Sequence, residues 1–117
     1  MTELQKLILV IDDDPDLREI IILKLTKAGF KVEQAENGED GINKARKLKP
    51  DLVLMDVRMP QMSGIEALSK MKADPKTAKI KVIFLTNLGA TENEDAWVDD
   101  KFAKEAGALG HIRKTED

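Results

Sequence analysis

The chain has 117 residues, which is enough for one domain around one hydrophobic core. It has no cysteine, so disulfides, thiolate metal ligands and thiol catalysis are all excluded. Its net charge of −3 offers no footprint for direct nucleic-acid binding, and no apolar run approaches membrane-spanning length, so a cytoplasmic protein contacting neither partner is expected.

Residues 7–11 are an unbroken, branched apolar run, which predicts a strand buried on both faces. It runs into Asp12, Asp13 and Asp14, followed by Pro15. Asp14 suits a helix N-cap and Pro15 the first helical position, so a helix is predicted from here to Ala28, with Gly29 as its stop. Within that helix, residues 20–23 are apolar around more than one face. Residues 30–35 alternate apolar and polar, as an edge or near-edge strand does, and Asn37-Gly38 reads as a turn. A second helix is predicted over 39–48, with Ile42, Ala45 and Leu48 at helical spacing, before Pro50-Asp51 breaks it.

The central strand is the apolar run 52–55, which ends in Asp56, with Pro60 four positions later. Ser63-Gly64 closes the loop, and a third helix is predicted over 65–71 with Ile65, Leu68 and Met71 inward, ended by Asp74-Pro75. Residues 81–86 form a fourth strand that finishes on the hydroxyl of Thr86. Beyond it are a polar loop over 87–93, a helix over 96–106 anchored by Trp97, and a short strand over 108–113 leading to Lys114. The alternation of strand and helix predicts a single α/β domain over 1–117, with a mostly parallel sheet, right-handed crossovers and helices on both faces.

Parallel strands bring their carboxyl ends to one edge, where ligands bind in this class of sheet. That edge gathers Asp12, Asp13, Asp56, Thr86 and Lys114. Three carboxylates in one crevice repel each other, and a hard divalent cation such as Mg²⁺ relieves that repulsion while keeping waters and phosphate oxygens as its other ligands. Lys114 adds a second positive charge and Thr86 a hydroxyl donor. The chemistry such a set suits is phosphoryl transfer to the carboxylate of Asp56, because transfer needs an in-line nucleophile and neutralised equatorial oxygens. Asp14 also has a simpler role, as a cap favoured by the helix dipole.

The ordered set formed by 8–15, 52–60 with Ser63-Gly64, Thr86, and 107–114 resembles a bacterial two-component response-regulator receiver domain. The resemblance covers nearly the whole chain and implies a three-layer, flavodoxin-like, doubly wound sheet of five strands in order 2-1-3-4-5. It makes Asp56 the phosphoacceptor and Asp12, Asp13, Asp56 and the backbone carbonyl of Arg58 the Mg²⁺ ligands. Thr86 becomes the switch hydroxyl and Lys114 the partner of the phosphoryl oxygens, with Met59-Pro60 and Gly64 shaping the loop. His111 resembles the family's switch-aromatic position, and a half-exposed strand residue is the equal alternative. The implied partners are a sensor histidine kinase or histidine phosphotransfer protein and a downstream protein target.

The chain departs from the family at three places. Thr115 follows Lys114 where proline is usual, the stretch from Thr86 to Gly107 is several residues longer, and the chain stops at Asp117. The expectation is therefore a receiver without its fifth helix, whose uncovered first-helix face leaves it less stable than a full receiver or self-associating. Two rivals remain in view. A phosphorylation-independent binding module is one. The other is a phosphohydrolase with an aspartyl-phosphate intermediate, but such enzymes carry an aspartate two residues after the nucleophile, where this chain has Arg58. A flavin site is disfavoured because aromatic residues make up only 3% of the chain. The protein is expected to modify only itself, and not to turn over an external substrate.

Overall fold

The computed structural model describes residues 6–86 and 110–113. In chain order these form β1 (Leu7–Ile11), α1 (Pro15–Lys27), β2 (Lys31–Ala35), α2 (Gly38–Leu48), β3 (Leu52–Asp56), α3 (Gly64–Ala73), β4 (Lys81–Thr86) and β5 (Gly110–Arg113). The strands are parallel in the order β2-β1-β3-β4, with the backbone of β5 pairing along β4. Over β2, β1, β3 and β4 this is the expected flavodoxin-like order. The helix read over 96–106, Trp97, the loop over 87–93, Lys114 and residues 115–117 lie outside the described residues.

The apolar runs alternate between two cores because successive side chains of a strand face opposite ways. Leu9 and Ile11, Val53 and Met55, and Val82 and Phe84 point toward α2 and α3 and build the larger core. Ile8 and Val10, Leu54, and Leu85 point the other way, where Ile21 and Leu25 of α1 pack on them. The register carries this through the sheet: Ile8 sits beside Leu52, Val10 beside Leu54, and Leu54 beside Ile83. A continuous run such as Leu7–Ile11 is thus apolar throughout because both of its faces are covered.

The helix boundaries follow their caps. Asp14 accepts hydrogen bonds from the N–H groups of Asp16 and Leu17, and Gly29 (φ 101°) follows the end of α1. Asn37-Gly38, read as a turn, instead begins α2: the Asn37 side chain accepts from the Asp40 N–H at 2.8 Å, which makes it an N-cap and Gly38 the first helical residue. The third helix extends past the expected 71 to Ala73, because Lys72 and Ala73 sustain it until the Asp74 cap. The apolar excess in α1 shows at its surface, where Ile20 is 50% and Leu23 58% exposed. Among the described residues, no helix is long and apolar enough to cross a membrane.

Asp74 ties the two helices of the larger core together. Its Oδ2 accepts from the Nε of Arg46 at 2.9 Å, linking α2 to the end of α3, and its Oδ1 accepts from the Lys76 N–H at 2.9 Å. The Lys76 amide and then Arg46 hold the Asp74 carboxyl below its ordinary value of 3.8. The folded protein therefore binds fewer protons here than the unfolded chain, so the pair adds stability above that value and loses it as the pH falls through the folded pKa. Asp74→Asn is expected to flatten the acid side of a stability-versus-pH curve below about pH 4. Thermal melts across that range check it, and an unchanged slope would show that the pair does not contribute.

Candidate functional site at the carboxyl edge of the sheet

The carboxyl ends of β1 and β3 lie side by side, since Ile11 pairs in register with Met55. Asp12 follows β1 directly and is fully buried, held by its own N–H donating to the Ala35 carbonyl at 3.1 Å. The Asp12 Oδ1 accepts from the Asp14 N–H at 2.9 Å, which turns the chain into α1. Asp13 is exposed. Asp56 is the last residue of β3 and only 5% exposed, and its Oδ1 accepts from the Arg58 N–H at 3.3 Å. One carboxylate oxygen from each of Asp12, Asp13 and Asp56 falls within 4.8 Å of the others. Residues 44 positions apart in sequence have become one acidic cluster.

The loop after Asp56 is tightly turned. The Gly64 N–H donates to the Val57 carbonyl at 2.7 Å and the Met62 N–H to the Pro60 carbonyl at 2.7 Å. Gln61 takes a left-handed backbone (φ 72°) at the turn, Met59 is buried against the larger core, and the Ser63 hydroxyl caps α3. Met59-Pro60 and Gly64 thus lie where the sequence places them, in the loop that frames Asp56. The Arg58 contact seen here is through its amide, on Asp56 itself. Thr86 closes β4 one residue past Leu85, the register partner of Asp56, and its own register partner is Arg113 of β5. Lys114 lies outside the described residues.

One participant is not evident from the strand-end pattern. Arg18 in α1 donates from Nη1 to the Asp12 carbonyl at 2.7 Å and from Nε to Gln34 Oε1 at 2.7 Å. It clamps the end of β1 to β2 and so fixes the backbone that carries Asp12. Lys44 of α2 reaches the same strand, donating to the Gln34 carbonyl at 2.6 Å. The available signal was position: the start of a helix disfavours cations, so an arginine there needs a reason.

The donor set is all hard oxygen, two of its three carboxylates are buried, and each carries the same charge as its neighbours. Such a group fits a divalent cation of the Mg²⁺ class, which favours carboxylate and water ligands. The response regulator receiver domain family matches residues 8–117. The chain belongs to this family. At the level of sequence the receiver is 37% identical over 110 residues to protein PilH of Pseudomonas aeruginosa, covering 94% of this chain and 86% of that protein. It is 36% identical over 101 residues to the DNA-binding dual master transcriptional regulator RpaA of Synechocystis sp., covering 83% of this chain but 42% of that regulator. In three dimensions the receiver resembles the N-terminal domain of a response regulator receiver protein from Methanoculleus marisnigri, with a TM-score of 0.77 and 31% identity over 93% of this chain and 84% of that one. Receivers are signalling domains of two-component systems, which accounts for the strand-end chemistry lying in a module of this size.

Proposed function

We propose that this receiver accepts a phosphoryl group on Asp56 from the phosphohistidine of a sensor histidine kinase or histidine phosphotransfer protein. The observation that carries this reading is the convergence of Asp12, Asp13 and Asp56 within 4.8 Å at the carboxyl edge. Asp12, Asp13 and Asp56, with the Arg58 carbonyl, would hold Mg²⁺. Bound there, the cation neutralises charge on the acidic cluster and on the incoming phosphoryl oxygens.

The Asp56 carboxylate attacks phosphorus while the P–N bond to the histidine breaks, and the electron pair leaves with the imidazole. Asp56 is suited to this because it ends a buried strand, where the backbone holds its carboxylate in a fixed line. Thr86 hydrogen-bonds the transferred group and acts as the switch, Lys114 pairs with its oxygens, and the resulting acyl phosphate alters a surface that a downstream protein reads. The receiver modifies only itself and works in the cytoplasm. The exposed Ile20 and Leu23 support self-association through the α1 face.

Treating the protein with Mg²⁺ and acetyl phosphate tests the reading by intact mass. The expected result is the gain of one phosphoryl group, absent when the cation is chelated. A persistently unmodified protein in the presence of both reagents would favour a phosphorylation-independent binding module instead.

A further inference from the structure

The opposite edge of the sheet has the opposite charge. Because the strands are parallel, the residues that enter them gather at the amino edge, a strand length of roughly 16 Å from the acidic cluster. There a cleft of about 400 Å³ is lined by Lys6, Lys49, Lys76, Lys79 and Lys81. Pro50, Pro75 and Ile80 add apolar surface to the lining. Among the described residues the one carboxylate in the lining, Asp51, has its Oδ2 engaged by the Leu7 N–H at 2.8 Å.

We propose that this cleft binds a small polyanion built on a polyphosphate chain of two or more linked phosphate groups. Charge is the first reason. Among the described residues the lining holds five lysines and one aspartate, a net of +4, in a chain whose total is −3. Five ammonium groups held around one concavity repel each other, and among the described residues the ion pairs within 4.0 Å are Lys44–Asp40 and Arg46–Asp74, which include none of them. A bound polyanion relieves that repulsion as a cation does at the other edge.

Helix ends do not account for the cluster. A helix C-terminus attracts cations, which explains Lys49 as the cap of α2. Lys6, Lys79 and Lys81 sit at strand entries, where no such field acts. Shape is the second reason: the volume falls in the range of small-molecule sites, and a lysine-lined cleft suits several phosphate oxygens converging on one compact ligand. Among the described residues no aromatic side chain lines it, so recognition rests on the phosphates and not on stacking a base.

Titration calorimetry with inorganic tripolyphosphate, in metal-free buffer so that the acidic edge plays no part, tests the site. Saturable binding is expected, tighter than that of orthophosphate and weakened by added salt. The exposed pair Lys79→Gln/Lys81→Gln should bind about tenfold more weakly or worse, since each lost charge-assisted bond is worth on the order of a tenfold factor. Lys24→Gln/Lys27→Gln, on α1 across the sheet, should bind as the unaltered protein does. A parallel titration with ADP separates a nucleotide, bound more tightly than pyrophosphate, from a bare chain bound equally; both support the site. Absence of saturation up to millimolar tripolyphosphate, or equal weakening by the two lysine pairs, would overturn it. Acetyl phosphate labelling of the same samples reports on Asp56 independently, so the two sites can fail separately.

Discussion

Asp56→Asn is expected to abolish phosphoryl uptake while raising the stability of the cation-free protein. The substitution keeps the shape of a 5% exposed side chain and removes one charge from a cluster whose oxygens lie within 4.8 Å. At an effective dielectric of about 20, two unit charges about 5 Å apart repel by roughly 3 kcal/mol. Water reaching exposed Asp13 reduces that figure, so a gain of about 1 kcal/mol is expected. The second consequence concerns Mg²⁺, which, held by this cluster as proposed, would stabilise the folded protein by an amount that grows with the logarithm of its concentration relative to its Kd. With one ligand neutralised, the rise in Tm on adding Mg²⁺ should shrink. Intact mass and thermal melts with and without Mg²⁺ measure all three effects. Continued labelling of the variant would move the acceptor to another carboxylate and overturn the assignment of Asp56.

Gly64→Ala is expected to be the most damaging single methyl in the loop. A Cβ at this position falls well inside contact distance of the Asp56 carbonyl oxygen and 3.0 Å from both the Asp56 carbonyl carbon and the Val57 Cα. All three atoms are backbone, so relief requires moving the end of β3 or the start of α3. The Gly64 N–H to Val57 carbonyl bond, which closes the loop, is strained by the same movement. A loss of about 3 kcal/mol is expected, with a fall in Tm of roughly 10 °C. Labelling of Asp56 should slow as well, because its carboxylate is carried on the displaced segment. Gly38→Ala provides the contrast. Its new Cβ would meet the Met62 Sδ at 2.8 Å, but a methionine side chain can swing aside, and alanine favours the helix. That variant should stay within about 1 kcal/mol of the original. Similar losses for the two variants would show that the close approach at Gly64 is not what frames the site.

Much of this molecule is legible one segment at a time. The strands β1, β3 and β4 were readable because a run buried on both faces must be apolar throughout, and Asp14 marks the start of α1 by local capping chemistry. The carboxylates at the strand ends were readable for the same reason: a charge that abruptly ends an apolar run stands out. Asn37 was harder, because asparagine before glycine serves a turn and a helix cap equally well, and only the Asp40 N–H above its side chain separates them.

What the sequence determined by itself, then, is the run of elements from β1 to β4 and the residues that end them, since hydrophobic period and caps act within a few residues. Tertiary structure decided the rest. It buried Asp12 while leaving Asp13 exposed, sent Arg18 back to the Asp12 carbonyl, left Ile20 and Leu23 uncovered, and drew five lysines spread over residues 6 to 81 around one cleft. Each of these depends on distances between segments remote in sequence. Such distances exist only once the sheet has assembled, because its register and crossovers, not any local preference, set which side chains meet.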